Sequence, residues 1–195
     1  ARNLGAEVNV NGNEVTINGI SAQLGGLNLP ELHVGESGLL TRMLIPVMAQ
    51  LSPDPVSFTG EKTLLGRPLT GAKEIMDAFE ADVIPIKSDV IPSDNNVIPR
   101  DTNVIPSEVE ESPSIVRVPL TVKGPLKAGR AEISGKHGSQ LISGLLMALP
   151  FAEKNSSLIV HEPKSIPYMF ITLEVLKKFG IKIGNDMLGG PDFLA

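Results

Sequence analysis

Between residues 38 and 51 the only polar side chains are Thr41, Arg42 and Gln50, and a similar density of Leu, Ile, Met and Ala returns from residue 139 to 152. A segment that is apolar on nearly every side cannot lie along a wet surface, so both stretches predict helices packed inside the molecule. Two further stretches are apolar on one side only and predict amphipathic helices: 69–79, entered through Arg67 and Pro68, and 167–179. Alternation of polar with β-branched residues predicts a hairpin from 7–10 and 14–18 around Asn11, Gly12 and Asn13. Short strands are expected at 31–34, 55–59, 115–122, 130–134, 157–160 and 181–183. Strands and helices thus alternate in a fixed order and the most apolar segments are helices, which predicts an α+β class with helices held against or between sheets.

The pattern repeats. Gly35 and Gly38 stand in front of the first buried helix, and Gly135 and Gly138, one hundred positions later, stand in front of the second. Phe79 and Phe179, near the ends of the two amphipathic helices, keep the same offset. A partial third copy opens the chain, where residues 3–8 read like 178–183 and like 78–83. Leu4 precedes Phe79 by 75 positions, and the shortfall from one hundred is close to the 28 residues of four tandem seven-residue units beginning at Asp82, Asp89, Asn96 and Asn103, each carrying Val-Ile-Pro. One supersecondary unit therefore occurs nearly whole twice and once as a stub. Proline in every copy forbids reading the sevenfold spacing as a coiled coil, and residues 86–114 are expected to be an inserted flexible loop. The chain reads as one domain over 1–195, and as a fragment of a longer protein.

Composition narrows what such a chain can do. Of 195 residues, 42% are hydrophobic but only 4% aromatic, with no Trp and one Tyr, so the core is aliphatic and stacking platforms for bases are lacking. A net charge of −5 without an extended basic cluster argues against nucleic acid. The absence of Cys excludes disulfides and thiolate chemistry, and the scattered His33, His137 and His161 have no metal-ligand spacing, so no metal site is expected. With no apolar run of ~18 residues or more, no membrane association is expected, and the expected compartment is the cytoplasm.

The candidate chemistry lies where the glycine turns meet the helices. A helix start has unpaired N–H groups and the positive end of the helix dipole, and a glycine turn lets an anion approach them. Ser139 and Gln140, at the second such start, therefore mark a candidate phosphate or carboxylate site.

Three motifs then carry a family resemblance. Residues 35–42 resemble the Gly-Asn-Ala/Ser-Gly-Thr-x-x-Arg segment of the EPSP synthase (3-phosphoshikimate 1-carboxyvinyltransferase) family, Gly66-Arg67-Pro68 its Arg-Pro turn, and Ser134 to Pro150 with Ser165, Ile166, Pro167 and Tyr168 its Ser-Ser-Gln and Ser-Lys/Arg-Pro-Tyr segments. The resemblance spans nearly the whole chain outside the Val-Ile-Pro units. It implies an N-terminal-domain fragment of a monomeric two-domain enzyme, built from βαβαββ units with buried helices surrounded by sheets. The implied reaction moves the enolpyruvyl group of phosphoenolpyruvate to the 5-hydroxyl of shikimate 3-phosphate without a cofactor. Carried over by position, Gly38, Arg42, Arg67 and Gln140 would bind phosphoenolpyruvate, and Gly138, Ser139, Gln140, Ser165 and Tyr168 would bind shikimate 3-phosphate.

Departures from the family pattern bear on activity. Gly138 stands where a first Ser is usual, Leu39 where Thr is usual, and Ile166 where Lys or Arg is usual. The acidic general base and the cations of the partner domain are not in the sequence, so this fragment by itself is expected to be inactive. Two alternatives stay open: a UDP-N-acetylglucosamine enolpyruvyl transferase-like enzyme, and a non-catalytic anion-binding module on the same fold.

Overall fold

A computed structural model describes residues 2–19, 29–86 and 115–186. The expected hairpin is present: β1 (Glu7–Asn11) and β2 (Glu14–Asn18) pair antiparallel with Asn11 opposite Glu14, turning at Gly12 in the left-handed region. There follow β3 (Glu31–His33), α1 (Gly38–Leu51), β4 (Val56–Thr59), α2 (Ala72–Asp77), β5 (Asp82–Pro85) and β6 (Leu120–Lys123). They build a four-stranded sheet in the order β3-β4-β6-β5, in which β3 and β4 are parallel and the other neighbours antiparallel. The second copy contributes β7 (Arg130–Ser134), α3 (Gln140–Ala148), β8 (Ser157–His161) and α4 (Ile166–Lys178), with β7 and β8 parallel. The first half of each unit is thus the same object, a parallel strand pair joined through a buried helix.

α1 begins where the sequence predicts because Ser37 caps it, its Oγ accepting from the Leu40 N–H at 3.1 Å. Ile45, Met48 and Ala49 on this helix are buried, and so are Leu141, Ile142, Leu145 and Ala148 on α3. The two helices pack directly on each other, with α1 also on β4 and β6 and α3 also on α4. Their close approach depends on Gly144, where a Cβ would lie 2.5 Å from the Met43 carbonyl oxygen and 3.0 Å from Pro46 Cγ. Full burial of Phe58, Phe79, Leu64 and Leu120 around this pair contributes about 1.5–3 kcal/mol each.

Several expectations are corrected. The helix predicted at 69–79 is only α2, Ala72–Asp77; Leu69 and Thr70 precede it, and its N-cap is Gly71 with φ 81°. Pro68 therefore lies outside the helix rather than at its start. Of the strand predicted at 115–122 only the end pairs, as β6, and Pro150 tightens the end of the second buried helix into a 3₁₀ turn, Leu149–Phe151. Residues 181–183 form no strand. The first Val-Ile-Pro unit begins in β5, with Pro85 opposite Leu120, just before the expected loop at 86–114. The remainder of the expected loop, from residue 87 to 114, lies outside the described residues.

Candidate functional site

The glycine turns bring two helix starts to one cavity of about 820 Å³, lined by Leu39, Arg42 and Met43 of α1, Thr70, the turn His137-Gly138-Ser139, Gln140 and Ser143 of α3, and Ser165, Tyr168, Ile171 and Thr172 at the start of α4. No carboxylate is among these residues, although the chain as a whole carries an excess of acid. The cavity is therefore electropositive against an acidic background.

Its two helix starts share an unusual feature. A serine at an N-cap ordinarily spends its hydroxyl on the helix's own free N–H groups, as Ser37 does. Ser139 caps α3 and Ser165 caps α4, yet neither side chain makes that bond. Ser139 is 6% exposed, lines the cavity, and its hydroxyl has no partner among the described residues. Ser139 Oγ is not a buried unpartnered atom, so it keeps access to the cavity and its donor is free to meet a ligand oxygen there. Ser165 sits at φ 57° and ψ 38°, in the left-handed region that costs a non-glycine residue about 1–3 kcal/mol and is found preferentially at ligand sites. Gly138, at φ 102°, turns the chain so that α3 presents its start to the cavity.

The cations come from the first unit. Arg42 Nη1 donates to the Gly38 carbonyl at 3.1 Å and Nη2 to the Pro68 carbonyl at 2.8 Å, which fixes the guanidinium between α1 and the turn before α2. Burial, and secondarily the charge of Arg67, push the Arg42 pKa down. Two like charges held this close favour an anion between them. Gly38 and Arg67 do not line the cavity themselves but adjoin it through Arg42: a Cβ on Gly38 would lie 2.8 Å from Arg42 Nη1 and 3.4 Å from Arg67 Nη1.

The other predicted residues, Arg42, Gly138, Ser139, Gln140, Ser165 and Tyr168, share one lining. Tyr168 is 65% exposed, so it is not a core residue. Thr70, His137, Ser143 and Thr172 also line the cavity and were not singled out from the sequence. Thr172 donates its proton to the Tyr168 carbonyl at 3.0 Å, so the 2.8 Å contact with Ser143 has Ser143 as donor, and this chain ties α3 to α4 across the floor of the site. Helical periodicity alone leaves such a pair looking like ordinary polar surface. His137 was legible only as a member of the glycine turn.

Comparison with known proteins shows what the chain is similar to. Residues 106–188 match the family described as EPSP synthase (3-phosphoshikimate 1-carboxyvinyltransferase). The 3-phosphoshikimate 1-carboxyvinyltransferase of Clostridium kluyveri is 30% identical over 186 residues, covering 95% of this chain and 36% of that protein. The protein of the same name from Methanosarcina mazei is 44% identical over 79 residues, 40% of this chain and 18% of the relative. An EPSP synthase structure from Acinetobacter baumannii superposes with a TM-score of 0.67 at 22% identity, covering 95% of this chain and 36% of that one. The chain thus spans about a third of the length of the relatives it matches along most of its own.

Proposed function

We propose that this chain belongs to the EPSP synthase family and forms one wall of a two-anion site in an enzyme transferring the enolpyruvyl group of phosphoenolpyruvate to the 5-hydroxyl of shikimate 3-phosphate. The observation that carries this reading is the pair of helix starts with uncommitted serine hydroxyls beside Arg42, with Arg67 adjoining, in a cavity with no carboxylate among its described lining residues. Ser139, Ser165 and the Gly138 backbone receive the phosphate of shikimate 3-phosphate, Tyr168 borders its ring, and Gln140 stands between the substrates. Arg67 and Arg42 hold phosphoenolpyruvate, with Gly38 leaving room for it.

Both substrates are polyanions, and charge is redistributed as the hydroxyl adds to C2 of phosphoenolpyruvate and phosphate then leaves. Donors fixed before reaction stabilise that charge without reorganising, so the scaffold's contribution is oriented amides, hydroxyls and guanidinium groups. Among the described lining residues none is a carboxylate, and none is assigned to take the proton of the attacking hydroxyl. The segment therefore binds and orients, and turnover belongs to the longer cytoplasmic enzyme.

Calorimetric titration with shikimate 3-phosphate and phosphoenolpyruvate, singly and together, tests the assignment. Shikimate 3-phosphate is expected to bind in the micromolar to millimolar range, with affinity falling roughly tenfold or more in Ser139→Ala, on the order of one charge-assisted hydrogen bond. Arg67→Ala is expected to weaken phosphoenolpyruvate and spare shikimate 3-phosphate. No heat at millimolar ligand would leave the fold without the site.

A further inference from the structure

The three histidines have different surroundings. His33 Nδ1 accepts from the Gly35 N–H at 3.3 Å, and His161 Nε2 lies 3.1 Å from Glu132 Oε2, holding that carboxyl below its usual range. His137 has no hydrogen-bond partner among the described residues, yet it lines the cavity beside Gly138 and Ser139. Its ring is not loose. It lies against Gly71, the N-cap of α2, where an added Cβ would be 2.9 Å from His137 Cδ2 and 3.3 Å from its Cβ and Cγ. Gly71 thus leaves the space that the imidazole fills, and the contact joins the second unit's glycine turn to the first unit's helix start.

The cavity has a use for such a group. Among the described residues Arg42 is the one permanently charged group in its lining, and both terminal nitrogens of that guanidinium already donate to protein carbonyls. The serine hydroxyls are neutral. A phosphate monoester has three terminal oxygens and at neutral pH about −1.5 to −2 charges to satisfy. The imidazole adds one N–H donor when neutral and two when protonated.

We propose that His137 is a specificity-determining ligand, its ring nitrogen donating to the phosphate of the phosphorylated substrate and so discriminating it from the unphosphorylated carbocycle. This rests on the cavity reading given under the proposed function. The ring is held by Gly71 on one side and hydrogen-bonds the ligand on the other, so its two roles separate by substitution: His137→Phe keeps the packing and removes the donor, and His137→Gln restores a donor.

The test uses the whole chain, with shikimate 3-phosphate and shikimate as probes, calorimetry for affinity and ¹⁵N NMR for the imidazole. Shikimate 3-phosphate affinity is expected to fall at least tenfold in His137→Phe and to recover in part in His137→Gln, with shikimate affinity unchanged. In the native chain the His137 ring nitrogens shift on adding shikimate 3-phosphate and not shikimate. Native affinity retained within twofold in His137→Phe, while Ser139→Ala weakens binding, overturns the role of His137 and leaves the cavity reading standing. Absence of binding to the native chain overturns both.

Discussion

At Gly38 the missing side chain has a measurable consequence. A Cβ there would stand 2.8 Å from Arg42 Nη1, closer than real contacts allow, and 3.4 Å from Arg67 Nη1. The backbone at Gly38 is helical, so alanine suits the helix and the guanidinium must yield. Gly38→Ala is therefore expected to keep the native melting temperature to within about 1 kcal/mol of stability while weakening phosphoenolpyruvate binding by roughly ten- to a hundredfold, the worth of one or two disturbed charge-assisted bonds; calorimetry and thermal denaturation on the same sample read both. The arginine positions were legible in the sequence because the motif names them. Their engagement was not: that Arg42 spends its nitrogens on Gly38 and Pro68 follows from two turns meeting in space.

The two copies of the βαβα element show what local pattern decides and what packing decides. Phe79 and Phe179 occupy equivalent sequence positions, yet Phe79 is 1% exposed and Phe179 is 81% exposed. The first unit continues into β5, which meets α2, and β6, which meets α1, whereas residues 181–183 form no strand against α4. Exposure of Tyr168, Ile171, Val175 and Phe179 along α4 has the same origin. The centre of the molecule is the α1–α3 contact, and it is testable at Gly144. Alanine is the better helix former by about 1 kcal/mol, but its Cβ would meet the Met43 carbonyl oxygen at 2.5 Å, which backbone cannot relieve without separating the helices. Gly144→Ala is expected to destabilise by about 1–3 kcal/mol, a fall in melting temperature of about 2–4 °C per kcal/mol for a chain of this size; an unchanged or raised value would show that the helices are not in contact there.

For the whole molecule, the first Val-Ile-Pro unit pairs in the sheet as β5, while the three units from residue 89 on lie between β5 and β6 in sequence. β5 and β6 pair with Pro85 opposite Leu120, and closing a shorter connection between them costs less entropy. Deleting residues 89–109, three of the four units, is expected to retain the fold and ligand affinity and to raise stability by about 1 kcal/mol, read as a small upward shift in melting temperature; a collapse of the fold would make the units part of the scaffold. The sequence by itself determined the order of the elements, the two buried helices, the repeat and most of the candidate residues, because apolar periodicity, glycine turns and family motifs are local properties of the chain. Only the tertiary structure decided that two helix starts face one cavity, that its serines leave their own helices uncapped, and that His137 rests against Gly71. Those facts depend on which surfaces of the two units meet, and residues some hundred positions apart carry no sign of each other until the α1–α3 contact brings them together.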